Sequence, residues 1–216
     1  MSRFIFPAWT NQLRTLIPVL LLGGGVYLVV LVAWGASPET TDVGYQPVQP
    51  VPYSHALHAG DLGIDCRYCH TSVEDSSNAN LPPTQTCMNC HARVRTESVK
   101  QVVVQDSYAT GLPIEWMRVH DLPDYAYFDH SSMVNQGVGC VECHGRVDRM
   151  DEVWQHEPLS MSWCLDCHRD PGPQLRPVDE VTNMAWQPRE DREALGEEIV
   201  RLHNISPPED CASCHR

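Results

Sequence analysis

Ten cysteines fall into five pairs with two residues between partners: Cys66 and Cys69, Cys87 and Cys90, Cys140 and Cys143, Cys164 and Cys167, Cys211 and Cys214. A histidine directly follows each pair, at His70, His91, His144, His168 and His215. C-x-x-C-H is the attachment pattern of c-type haem. The two thiols add across the vinyl groups of one haem, and the adjacent imidazole binds iron from the proximal side. Cysteine pairs alone also build zinc sites and redox dithiols. The histidines discriminate: His fills 11 of 216 positions, so five chance placements have a probability on the order of 3 in 10 million. Zinc ribbons need pairs in twos, and five is odd. A disulfide framework would not ask for the histidines. The spacing therefore implies five covalently bound haem c groups.

An iron that only transfers electrons needs a sixth ligand, whereas an open position suggests small-molecule chemistry. Six histidines remain: His55, His58, His120, His130, His156 and His203. His55 and His58 stand just upstream of a motif pair, and their three-residue step lets them serve two irons. His130 occupies the corresponding place in a second copy of the pattern. Met133 stands there where the first copy has His58. A thioether is a legitimate ligand that raises the reduction potential, and a gap-filling core methionine is the alternative. Met161, before Cys164, is its rival. His120 lies in the aromatic, apolar run IEWMRVHDLPDYAYF, an odd place for a surface histidine. His156 and His203 lie in polar stretches and are read as surface residues. His55, His58, His120, His130 and Met133 thus form a distal set equal in number to the motifs.

The elements that position these residues must be unusual. The chain is rich in Pro (17) and poor in Phe (3), with little sustained helical or alternating periodicity. The expected fold is a multihaem cytochrome c: one N-terminal transmembrane helix, then a haem-packed domain of short helices and loops with little strand. Apolar macrocycles would do much of the work of an aliphatic core. Residues 15–34, TLIPVLLLGGGVYLVVLVAW, carry no charge. Twenty residues rise about 30 Å, the thickness of a bilayer core. Trp9 and Trp34 flank the run, Pro18 falls near its first turn, and a cleaved signal peptide is the alternative. Arg3 and Arg14 precede it while Glu39 and Asp42 follow. The charge bias places the N-terminus in the cytoplasm of a bacterium, the span once through the cytoplasmic membrane, and the haem domain on the periplasmic side.

Residues 1–34 form the N-terminal segment and anchor, 35–52 an extended, Pro-rich linker, and 53–216 the pentahaem domain. Within that domain a repeat is visible. Tyr53-Ser54-His55-x-x-His58 precedes Cys66, and Phe128-Asp129-His130-x-x-Met133 precedes Cys140. Two two-haem units, 53–91 and 127–168, are joined by a connector, 92–126, and 169–216 carries the fifth motif. There, residues 190–202 read as an amphipathic helix with Leu195, Ile199 and Leu202 on one face. Net charge is −13; it steers basic partners or serves solubility alone.

PVPYSHALHAGDLGIDCRYCHTSVE, LPPTQTCMNCH, RVHDLPDYAYFDH, GVGCVECHGRVD and SMSWCLDCHR together resemble the pentahaem cytochrome subunit of alternative complex III, a bacterial quinol:electron-acceptor oxidoreductase. The resemblance covers residues 50–216. It implies an electron-transfer subunit, not an enzyme on its own. The implied partners are an iron–sulfur subunit, polytopic quinol-binding membrane subunits and a monohaem cytochrome c. Members of that family have histidine where this chain has Met133. No nucleic-acid partner is expected. A stand-alone quinol dehydrogenase would hold a haem site close to its span, yet about 30 residues separate residue 34 from Cys66. A multihaem reductase would need a five-coordinate iron, and enough distal candidates exist here to close every site.

Overall fold

The computed structural model describes residues 7, 9–35, 41–189 and 191–215. Arg3, Glu39 and Glu190, and residues 36–40 of the expected linker, lie outside the described residues. The chain divides into two units, Met1–Asp42 and Val43–Arg216.

In the first unit, α1 spans Thr10–Gly35. Its most apolar 18-residue stretch has a mean hydropathy of 2.6, and none of its described residues is buried. Its 26 residues rise about 39 Å, long and apolar enough to cross a membrane. A signal sequence has the same character. The helix starts earlier than the apolar run because TNQLR also takes helical form, with the Thr10 hydroxyl donating to the carbonyl of Pro7 at 2.7 Å. Pro18 therefore lies inside the helix and not in its first turn, and one backbone donor is missing there.

The second unit contains no strand among its described residues, only isolated bridges between Ala126 and His215 and between Val138 and Leu175. Its helices are α2 (Cys66–Cys69), α3 (Thr84–His91), α4 (Val102–Thr110), α5 (His130–Val134), α6 (Cys140–His144), α7 (Met161–Arg169), α8 (Arg192–His203) and α9 (Cys211–Cys214). Helices of one or two turns are not stable alone, because nucleation fixes several dihedrals for one hydrogen bond. Side-chain caps help five of them start. Asp65, Asp129, Ser160, Asp191 and Asp210 accept from backbone N–H groups at the starts of α2, α5, α7, α8 and α9.

The aliphatic core is small. Among the described residues, the buried apolar side chains are Val51, Val73, Val104, Val134, Met150, Leu175, Val181 and Ile199. Val73, Val134 and Val181 cluster, with Ala79 against them. This agrees with a domain organised by something other than its own aliphatic residues.

The second half of the segment read as a linker is packed, not free. Gly44 N donates to Gln155 O at 2.8 Å and Gln155 N to Tyr45 O at 3.0 Å. Gln49 exchanges two hydrogen bonds with the Met117 backbone, at 2.8 and 3.0 Å. These glutamines and the buried Val51 give the segment partners that its Pro-rich composition does not reveal. The expected C-terminal helix is present as α8, but its buried face is Gly196 and Ile199, and Leu202 is exposed. The cause is a close approach: a Cβ on Gly196 would run into the carbonyl of Gly172. That turn, Gly172–Gln174, sets which side of α8 is covered.

Candidate haem-attachment sites

Each C-x-x-C-H motif sits on or at the end of a short helix: α2, the second half of α3, α6, the second half of α7, and α9. Residues three and four apart share one helical face. A single turn thus presents both thiols of a motif beside the imidazole that follows, as one macrocycle requires. No disulfide joins any of these cysteines. Among the described residues, no three His, Cys, Asp or Glu side chains converge to hold a bare metal ion.

The histidine nitrogens test whether haem fits. His70 Nδ1 donates to Asn80 O at 2.7 Å, His91 Nδ1 to Val94 O at 3.1 Å, His168 Nδ1 to Pro208 O at 2.7 Å, and His215 Nδ1 to Tyr125 O at 3.2 Å. Two distal candidates share this arrangement: His58 Nδ1 donates to Ser54 O and His130 Nδ1 to Ser77 O, both at 2.8 Å. A proton fixed on Nδ1 leaves the Nε2 lone pair for a metal. His120 Nε2 is buried with no hydrogen-bond partner, as is His55 Nδ1.

Ring separations are informative. A nitrogen bonds a metal at about 2 Å and the ring centroid lies about 1.1 Å further out, so trans imidazoles on one iron have centroids about 6.3 Å apart. His58 and His91 are 6.2 Å apart, with planes at 65°. His130 and His144 are 6.4 Å apart, with planes at 7°. His120 instead touches His144 edge to face at 4.4 Å, too close to stand across an iron from it. Burial, with His70 and His58 nearby, lowers His55 to about 4. Burial and His130 lower His120. Burial, then His120, His130, His70 and His55, push His144 down to about 3. All three are held neutral, the form that coordinates metal.

The repeat is structural as well as sequential. Tyr53 meets His55 edge to face at 4.8 Å and 86°, and Phe128 meets His130 at 4.7 Å and 89°. Local backbone differs: the first copy continues into a wide π turn, Ala56–Asp61, the second into α5. Met133 is part-buried, while Met161 is 66% exposed, which favours Met133 of the two as a residue facing the interior.

The motifs touch in sequence-scrambled order. Asn89 of the second motif donates to the Tyr68 hydroxyl of the first at 3.1 Å. The first lies beside the third. Residues 181–182 bridge the same two motifs: Cys140 N donates to Val181 O at 3.0 Å, and the Thr182 hydroxyl donates to Asp65 at 3.0 Å. Burial pushes the Cys143 thiol up to about 12, and Cys167 and Cys164 of the fourth motif are close enough to add to it. The fourth joins the fifth through His168 and Pro208, and through Arg169 and Glu209 at 3.3 Å. The spatial row is second, first, third, fourth, fifth.

One network near the third motif escaped the sequence reading. Arg176 is fully buried, with its side chain 1% exposed, and pairs with Glu142 inside that motif. Arg192 of α8 reaches the same carboxylate at 2.8 Å. Arg176 also donates to Asn183 O at 3.2 Å and lies over Trp186, 5.0 Å from the ring centroid. Gly139 makes room, since a Cβ there would collide with the guanidinium. The available signal was weak: a carboxylate between two cysteines, with arginines far along the chain.

Helices without strands, motif helices in contact and neutral histidines define a class, and comparison with known proteins agrees. Residues 126–216 match the family of cytochrome c7 and related cytochrome c. The second unit thus contains a multihaem cytochrome c region, similar to haem proteins of electron transport. At 31% identity over 121 residues, the chain is similar to the menaquinone reductase, multiheme cytochrome c subunit of Nitratidesulfovibrio vulgaris. The match covers 56% of this chain and 56% of that relative, so the chain spans about half its length.

Proposed function

We propose that this chain carries five covalently bound haems c and is the electron-relay subunit of a quinol-oxidising membrane complex of the alternative complex III type. The observation that carries the reading is the row of attachment motifs, bridged by hydrogen bonds from second to first to third and from fourth to fifth. Haem iron, when bound, supplies one-electron chemistry and no proton chemistry. The protein supplies the rest. Ten cysteines tether, and His70, His91, His144, His168 and His215 bind from the proximal side. The distal ligands are His55, His58, His120, His130 and Met133. By the ring distances, His58 serves the second motif and His130 the third. By the repeat, His55 serves the first and Met133 the fourth. His120 completes the set.

In this reading α1 is a retained anchor, the N-terminus is cytoplasmic, and the haem domain is periplasmic. Electrons come from quinol-binding membrane subunits and an iron–sulfur subunit, and leave to an acceptor such as a monohaem cytochrome c. Residues 15–34 contain no ionisable group other than Tyr27. Quinol oxidation needs a proton acceptor and a nearby redox centre together, so the chain alone should not perform it.

The relative's name favours a second reading: the same relay run toward menaquinone. One experiment separates the two. The isolated chain should be reduced by dithionite but not at a catalytic rate by a quinol analogue, while the intact complex should show quinol-driven haem reduction. Rapid oxidation of dithionite-reduced haems by a menaquinone analogue in the complex, without the forward reaction, would favour the second. Rapid quinol oxidation by the isolated chain would overturn both.

A further inference from the structure

Two ligand pairs with the same chemistry differ in the angle between their rings, and each is held by a different neighbour. His58 is stacked on Tyr53 at 4.4 Å and 22°, with its Nδ1 tied to Ser54 O at 2.8 Å. His91, 6.2 Å away, has its Nδ1 tied to Val94 O at 3.1 Å. Their planes cross at 65°. His130 is held by the edge-on Phe128 and by Ser77 O, and lies at 7° to His144. We propose that Tyr53 and Phe128 are positioning residues that set these planes, making the irons of the second and third motifs electronically distinct. This rests on the haem reading above.

The argument is one of orbital overlap. An axial imidazole donates π density into the iron d orbital perpendicular to its ring plane. Parallel rings raise the same orbital, split the d pair and give a rhombic low-spin ferric signal. Crossed rings raise both orbitals similarly, leaving them close in energy, and give a strongly axial signal with a larger maximum g value. Outer contacts that fix a ligating histidine's orientation thereby tune the metal. The Tyr53 stack and the Ser54 carbonyl together leave His58 little freedom to rotate about its own Nε2 axis.

Electron paramagnetic resonance of the oxidised holoprotein tests this. The spectrum should contain both a strongly axial and a rhombic low-spin component. Tyr53→Leu should shift the axial component and leave the rhombic one in place, with haem content and low-spin state unchanged. Tyr53→Phe keeps the stack and should restore the parent spectrum. A parent spectrum with a single component type would overturn the proposal, as would an axial component unmoved in a fully loaded Tyr53→Leu protein. The parent measurement stands even if Tyr53→Leu does not fold. Absence of a covalent-haem spectrum in alkaline pyridine would instead sink the haem reading itself.

Discussion

Replacing Cys66 and Cys69 together with serine should leave almost no folded protein, whereas replacing Cys211 and Cys214 should leave a folded protein lacking one haem. The first motif sits inside the row. Tyr68 meets the second motif, and Asp65 is tied to Thr182, whose neighbour Val181 accepts from Cys140 of the third. The Arg67 hydrogen bond holds Asp65 down to about 2, with Thr182 also lowering it and burial opposing. Haem at this position would pack against both neighbours. Burying most of one macrocycle is worth on the order of 10 kcal/mol, comparable to the whole stability of a typical domain, about 5–15 kcal/mol. The fifth motif is attached at the end of the row, through Tyr125, Tyr127 and Pro208, and its loss opens one end only. Soluble yield, haem absorbance per polypeptide and resistance to proteolysis measure the contrast. Equal yields from the two variants would show that the first motif is not central.

Glu142→Gln should destabilise the loaded domain by about 3–5 kcal/mol, the usual cost of leaving a buried charge without its partner. Arg176 is the charge in question. Its side chain is 1% exposed, against 37% for Arg192, so Arg192 can turn to water and Arg176 cannot. Glutamine preserves shape and leaves both cysteines and His144 untouched, so haem content should be unchanged. Urea unfolding followed by haem absorbance would measure the loss. A shift below about 1 kcal/mol, the range of exposed ion pairs, would mean that Arg176 is neutralised by something other than Glu142.

The sequence was most legible where chemistry is local. C-x-x-C-H fits one helical turn, so type and spacing alone place ten thiols and the five imidazoles that follow them on short helices. The repeat singled out His55 and His130 because both copies place an aromatic residue two positions ahead of a histidine, and Tyr53 and Phe128 recur with the same edge-on geometry. Long-range features were not legible. The carbonyls that hold the ring nitrogens, from Asn80 to Pro208, are backbone atoms that every residue possesses. The row order depends on Val181 and Thr182 joining Cys140 to Asp65, 75 positions away in the chain. The burial of Arg176 follows from space beside Gly139, not from composition. Leu202 failed as a core residue because the backbone approach at Gly196 rotates α8 toward a different face. Residues 43–52 looked like spacer because Pro-rich segments usually are, while Gln46, Gln49 and Val51 bind them to the rest of the second unit.

The central claim is that every C-x-x-C-H motif carries a covalent haem, and the mass of the denatured protein tests it most directly. Thioether bonds survive denaturation, reduction and acid. The account predicts the polypeptide mass plus five haems, with haem-linked peroxidase staining retained on a reducing gel. A mass carrying fewer than five, or haem that passes into acidified organic solvent and leaves the bare polypeptide, would contradict it.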